Sequence, residues 1–182
     1  MANQEFTAPQ IRRLLRLLEE ELTRRGIAAS LFVVGGAAIA LEHNSERRTQ
    51  DVDAVIVPAD AVLAAAAEVA RSEQLPPSWL SANATPWVPA RGRPTLPPTE
   101  IGLRVDIASP RTLLAMKLVA SRNRDISDIR LLAEELGITD PKELADLVQA
   151  EYGDALETHG GYDDMLLWTQ QLANQFWGDA EI

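Results

Sequence analysis

The sequence predicts an α/β fold, a small mixed sheet flanked by helices with a helical C-terminal part. Three observations lead there. A wholly apolar run, Leu31-Phe32-Val33-Val34, is followed by Gly35-Gly36 and the helix-forming Ala37-Ala38-Ile39-Ala40-Leu41, so strand, glycine turn and helix follow one another. A second apolar run closes Asp51-Val52-Asp53-Ala54-Val55-Ile56-Val57 and ends at Pro58. Between Glu100 and Ile107 apolar and polar residues alternate, the period of a half-buried strand. After Ser109 the periodicity is helical.

In chain order, Thr7-Ala8-Pro9 starts a helix whose stripe, Ile11, Leu14, Leu15, Leu18 and Leu22, stops at Gly26. Residues 31–34 are the first strand and 37–41 the next helix. His43 to Gln50 is a polar connection to the strand that carries Asp51 and Asp53, and the alanine-rich stretch from Asp60 to Ser72 is helical. Residues 76–98 hold seven of the eleven prolines, which leaves only loop or edge strand there. Ser109-Pro110 caps a helix running to about Ser121, and a second spans Asp125 to Leu136 before Gly137. A third opens at Asp140-Pro141-Lys142-Glu143, with an N-cap acid and proline at the first helical position, and the last covers 163–176. The organisation expected is one domain over 1–136 and an acidic helical extension over 137–182 packed on it.

Composition narrows the chemistry. With 182 residues, 46% hydrophobic and 24% charged, the chain can bury a core and is neither disordered nor membrane-like. No apolar run approaches the roughly 20 residues of a bilayer span, and Met1 to Glu5 carries no basic, signal-like start, so a cytoplasmic protein with no membrane partner is expected. Zero cysteines exclude disulfides, thiolate nucleophiles, zinc ribbons and iron–sulfur clusters, and two histidines leave no imidazole-rich metal site, so any metal must be held mainly by carboxylates. The net charge of -10 argues against duplex DNA as a partner. It is unevenly spread: residues 131–182 hold twelve acids against Lys142 alone, whereas 91–130 hold eight basic and four acidic residues, a stretch suited to a phosphate-bearing substrate.

Asp51 and Asp53, two apart, and Asp106 on a later strand put three carboxylates on strands that one sheet can hold side by side. Such oxygens suit magnesium, and three carboxylates can hold one or two ions for in-line displacement at phosphorus. Gly35-Gly36 lets backbone N–H groups at a helix start approach phosphate. Together the parts imply nucleotidyl transfer, with Asp51 and Asp53 on the metal and Asp106 helping to activate a hydroxyl.

In this order, Val33-Val34-Gly35-Gly36, Asp51-Val52-Asp53-Ala54 and Val105-Asp106-Ile107 resemble the nucleotidyltransferase fold superfamily. More narrowly, Gly35 to Leu41, Arg47 to Asp53, the helix carrying Lys117, and Arg124-Asp125 with Asp128 resemble its AbiEii-type and MenT-type branch, found in toxin–antitoxin systems. The resemblance spans about residues 10–136. It implies an NTP donor held by Gly35, Gly36, Arg47, Thr49 and Lys117, a catalytic set of Asp51, Asp53, Asp106, Lys117 and Asp128, an RNA acceptor such as a tRNA 3′ end, and a cognate antitoxin. A small hydroxylated acceptor, as in antibiotic-modifying relatives, and a non-catalytic nucleotide- or partner-binding member stay open. Two departures are visible: glycine at 36 where many members have serine, and fourteen residues between Gly36 and Asp51. Asp125 and Asp128 also have a purely structural reading as helix-capping acids. Trp79 and Trp87 read better as anchors of the proline-rich loop than as platforms for a base.

Overall fold

A computed structural model describes residues 4–90 and 93–178. These residues form seven α-helices and one four-stranded mixed sheet. The helices are α1 (Ala8–Arg24), α2 (Gly35–Glu42), α3 (Ala59–Glu73), α4 (Pro110–Ala120), α5 (Ile126–Leu136), α6 (Pro141–Tyr152) and α7 (Gly161–Trp177). The strands are β1 (Ala28–Val33), β2 (Val52–Val57), β3 (Leu80–Ser81) and β4 (Gly102–Ile107). The α/β class expected from the sequence is the observed one. None of the described helices is long and apolar enough to cross a membrane.

Two compact units divide the chain. The first runs to Val88 and is completed by the segment that ends at Ala108. The second is built from Ser109 onward, so the break falls at the start of α4, whereas the sequence reading placed it after Leu136. The reason is that α4 buries Leu113, Leu114 and Leu118 and packs on both α5 and α6, which ties it to the helices that follow.

In the first unit the strand order is β3-β2-β1-β4. β1 pairs antiparallel with β2 and parallel with β4, and β2 pairs parallel with the short β3. The stripe of Ile11, Leu14, Leu15, Leu18 and Leu22 in α1 is buried, and the helix start is fixed where Thr7 donates both N–H (2.8 Å) and O–H (2.9 Å) to Gln10 Oε1. α1 and α3 pack together, and both contact the sheet. Among the described residues of the proline-rich stretch, only β3 and two single 3₁₀ turns are regular. Trp79 is fully buried there and donates Nε1–H to the Ala66 carbonyl at 3.0 Å, so it is an anchor, while Trp87 remains 46% exposed.

The second unit is all-helical. Ser109 Oγ accepts from Thr112 N at 3.2 Å to cap α4, and Asp140 Oδ1 accepts from Lys142 N (2.8 Å) and Glu143 N (3.0 Å) to cap α6, both as the sequence predicts. α5 ends on Gly137 in the left-handed region, φ 69°, where glycine has no side chain to strain.

Candidate active site

Register alone decides which side chains share a sheet face. Phe32 on β1 lies opposite Val55 on β2 and Asp106 on β4. Val34 N donates to Asp53 O at 2.9 Å, which carries the antiparallel pairing one step past β1. Alternation then puts Asp53, Val55, Phe32, Ser30, Arg104 and Asp106 on one face, with Ser81, the partner of Asp53 on β3, beside them. The alternate residues Leu31, Val33, Ala54 and Ile56 are all apolar and buried.

Asp53 and Asp106 are thus brought to the same face, separated by β1. Two interstrand spacings of about 4.8 Å put their backbones on the order of 10 Å apart. Asp106 is half-buried and paired to its strand neighbour Arg104, with Nε at 2.9 Å from Oδ2 and Nη2 at 3.2 Å from Oδ1. Among the described residues no three acidic or histidine side chains converge tightly enough to hold a metal. The donor set is right in kind for magnesium, hard carboxylate oxygens that can be supplemented by substrate phosphates. Asp51 and Asp53 would hold such an ion, and Asp106 would join only after parting from Arg104.

Asp51 is not on the strand. β2 starts at Val52, and Asp51 occupies the bend before it, so period-2 alternation does not by itself orient this carboxylate. What holds it is a clasp. Phe6 N donates to Thr49 O at 2.6 Å and Thr49 N donates to Phe6 O at 3.1 Å, an antiparallel bridge that pins the segment leading into the bend. Thr49 Oγ1 then donates to Asp51 O at 3.1 Å. Thr49 therefore positions the acid through its backbone, a task the resemblance does not assign to it. Arg47 lies half-buried in the same connection and is engaged by neighbours.

Gly35 and Gly36 open α2, with Val34 as the N-cap residue. Gly35 has φ 65°, and a Cβ there would stand 3.6 Å from Asp53 Oδ2, so the glycine turn and the strand carboxylate are immediate neighbours. Gly36 is required for a different reason. A Cβ at 36 would lie 2.8 Å from Thr49 Oγ1 and 3.3 Å from its Cβ, closer than packed atoms allow. Thr49 fills the space that any side chain at 36 would need. Gly36→Ala is expected to destabilise by roughly 1–3 kcal/mol, the usual range for overpacking. Thr49→Ala in the same chain should recover most of that loss, as read by thermal denaturation; an additive double variant would contradict the close approach.

Lys117, Asp125 and Asp128 belong to the helical unit and form a closed set of their own. Lys117 Nζ lies 2.6 Å from Asp125 Oδ1 and 2.9 Å from Asp128 Oδ2, and all three residues are at most 7% exposed. Lys117, expected from the resemblance to meet a triphosphate, has its ammonium enclosed in the resting structure, where it meets two carboxylates. Asp125, read as a helix cap, makes no side-chain cap hydrogen bond, because its carboxylate turns to the lysine instead. Arg91, counted in the basic stretch, lies outside the described residues, while Arg93 donates Nη1–H to the carbonyls of Thr85 (3.3 Å) and Val88 (3.4 Å) and so folds back on its own loop.

Comparison of the chain with models of known families, with curated proteins and with solved structures finds no match.

Proposed function

We propose that the protein is a magnesium-dependent nucleotidyltransferase that moves a nucleoside monophosphate from an NTP to a hydroxyl. The observation that carries this reading is the placement of Asp53 against Gly35, with Asp106 on the same sheet face across the intervening β1. Backbone N–H groups of the first turn of α2 have no intrahelical acceptor and suit phosphate oxygens. When bound, magnesium would neutralise charge on the triphosphate and polarise the α-phosphorus.

The chain's own residues divide the remaining work. Asp51, fixed by the Thr49 clasp, and Asp53, fixed in β2, hold the donor side. Asp106, once free of Arg104, accepts the proton of the acceptor hydroxyl as its oxygen bonds to the α-phosphorus, and the bond from that phosphorus to the bridging oxygen breaks to release pyrophosphate. Lys117 and Asp128 serve this reading as the buried tie that holds the start of α5 to α4, rather than as groups that touch the nucleotide.

An RNA 3′ end, tRNA included, is the acceptor that the resemblance to toxin-type members supports, and with it a cognate antitoxin that restrains the activity. The test is incubation of the protein with each α-labelled NTP, magnesium and total tRNA. Label retained on RNA after denaturing electrophoresis is the expected result. The absence of label transfer to RNA or to water-soluble hydroxyl compounds, together with no NTP binding, would overturn the proposal.

A further inference from the structure

Ser30 is the one hydroxyl in the six-residue strand β1, and its position is unusual for a polar atom. The residue is 3% exposed, yet its Oγ meets no hydrogen-bond partner among the described residues. A buried hydroxyl with its bonds unmade is costly unless something outside the resting structure satisfies it. Ser30 stands directly opposite Arg104 across the β1–β4 pair, on the Asp106 face. The loop of residues 93–98 lies over that face and leaves an open cleft of about 390 Å³, lined by Ser30, Arg93, Thr95, Leu96, Arg104 and Asp106.

The lining defines the ligand class. Two guanidiniums against one carboxylate give a net positive cleft, which favours an oxyanion. Arg93 is held by two carbonyls through Nη1 alone, and among the described residues its other N–H groups have no partner. Leu96, 77% exposed, and the neighbouring prolines give an apolar wall on which a flat ring can rest. The volume lies at the small end of the roughly 300–1,000 Å³ of ligand sites, enough for one nucleotide and too little for a folded macromolecule.

We infer that this cleft is a phosphoester subsite for a single nucleotide unit, its phosphate bound between Arg93 and Arg104 and accepting the Ser30 hydroxyl. A free mononucleotide and the terminal nucleotide of an RNA offer the same chemistry. The site adjoins Asp106 and not Gly35, so under the nucleotidyltransferase reading it receives the acceptor. Only that last assignment rests on the reading; binding itself does not.

The test is calorimetric titration with 5′-AMP, and separately with a four-residue RNA, in the absence of divalent cations and NTP. Wild type should bind at least one of them. Ser30→Ala should weaken binding by about five- to tenfold, the usual cost of one hydrogen bond to a charged group, with no fall in melting temperature because the hydroxyl has no protein partner to lose. Arg93→Gln should weaken it at least as much. RNA binding tenfold tighter than AMP assigns the cleft to an RNA end, and equal affinities assign it to a free nucleotide. Absence of binding of both probes to wild type, or unchanged affinity in both variants, overturns the inference. Because no transfer is measured, loss of catalysis with retained AMP binding would count against the proposed function alone.

Discussion

Asp53→Asn is expected to lower the proposed nucleotidyl transfer by two or more orders of magnitude, an increase in barrier of about 2.7 kcal/mol or more, while the protein stays folded. The substitution keeps the shape of the side chain and removes its charge. The backbone hydrogen bond that places the residue, from Val34 N to Asp53 O, does not depend on the side chain. β2 therefore keeps its register. What changes is the ability to hold a cation beside Gly35, where the Asp53 oxygen now sits. Initial rates of label transfer, paired with thermal denaturation of the same sample, check the result. A variant that retains wild-type rates would remove Asp53 from the proposed site, and one that unfolds would show that its carboxylate is structural.

Lys117→Met produces the largest expected effect on stability, a loss of about 3–5 kcal/mol, which is the range for breaking a buried ion pair by deleting one partner. The methionine fills much of the space of the lysine stem, so packing is not the cause. The cause is charge: Asp125 and Asp128, held at 2.6 and 2.9 Å from the ammonium, are left facing each other without it. For a chain of this size the midpoint of thermal unfolding should fall by roughly 10 °C. Adding Asp125→Asn and Asp128→Asn to the methionine variant should restore part of the loss, since uncharged amides no longer repel. If the single variant melts with wild type, Lys117 contributes no net stability and the enclosed set is incidental.

The strands and helices were legible because each carries its own signal. The stripe from Ile11 to Leu22 and the Ser109-Pro110 and Asp140-Pro141 starts are local features that tertiary contacts reinforce, whereas the alternation before Ile107 marks a strand whose burial does not alternate, Val105 being exposed. Gly35 was legible as a turn. The co-facial placement of Asp53 and Asp106 followed from strand parity once β1 lay between them, but parity stops at Val52 and so did not reach Asp51. Three other features are products of proximity in space and leave no periodic trace. Thr49 pressing on Gly36, Phe6 bridging to Thr49, and Lys117 gathering two acids each join residues whose types are ordinary in their local sequence. Ser30 carried a weak local signal, a lone hydroxyl in an apolar strand, and it gains meaning only beneath the loop that roofs it.

The order β3-β2-β1-β4 also governs how the protein is made. β1 and β2 can form their antiparallel ladder as soon as residue 57 has left the ribosome, but the other edge of β1 waits for β4, which arrives only after α3 and the entire proline-rich stretch. Until then the row from Ala28 to Val33 exposes unpaired backbone groups and apolar side chains, an invitation to pair with another nascent chain. Closing so long a loop is slow relative to local helix formation. The face that carries Asp106 is therefore the last part of the sheet to form, and a polypeptide interrupted after residue 57 but before residue 106 carries Asp53 and the glycine turn without their third acid. Synthesis itself delays assembly of the proposed chemistry until nearly three-fifths of the chain is present.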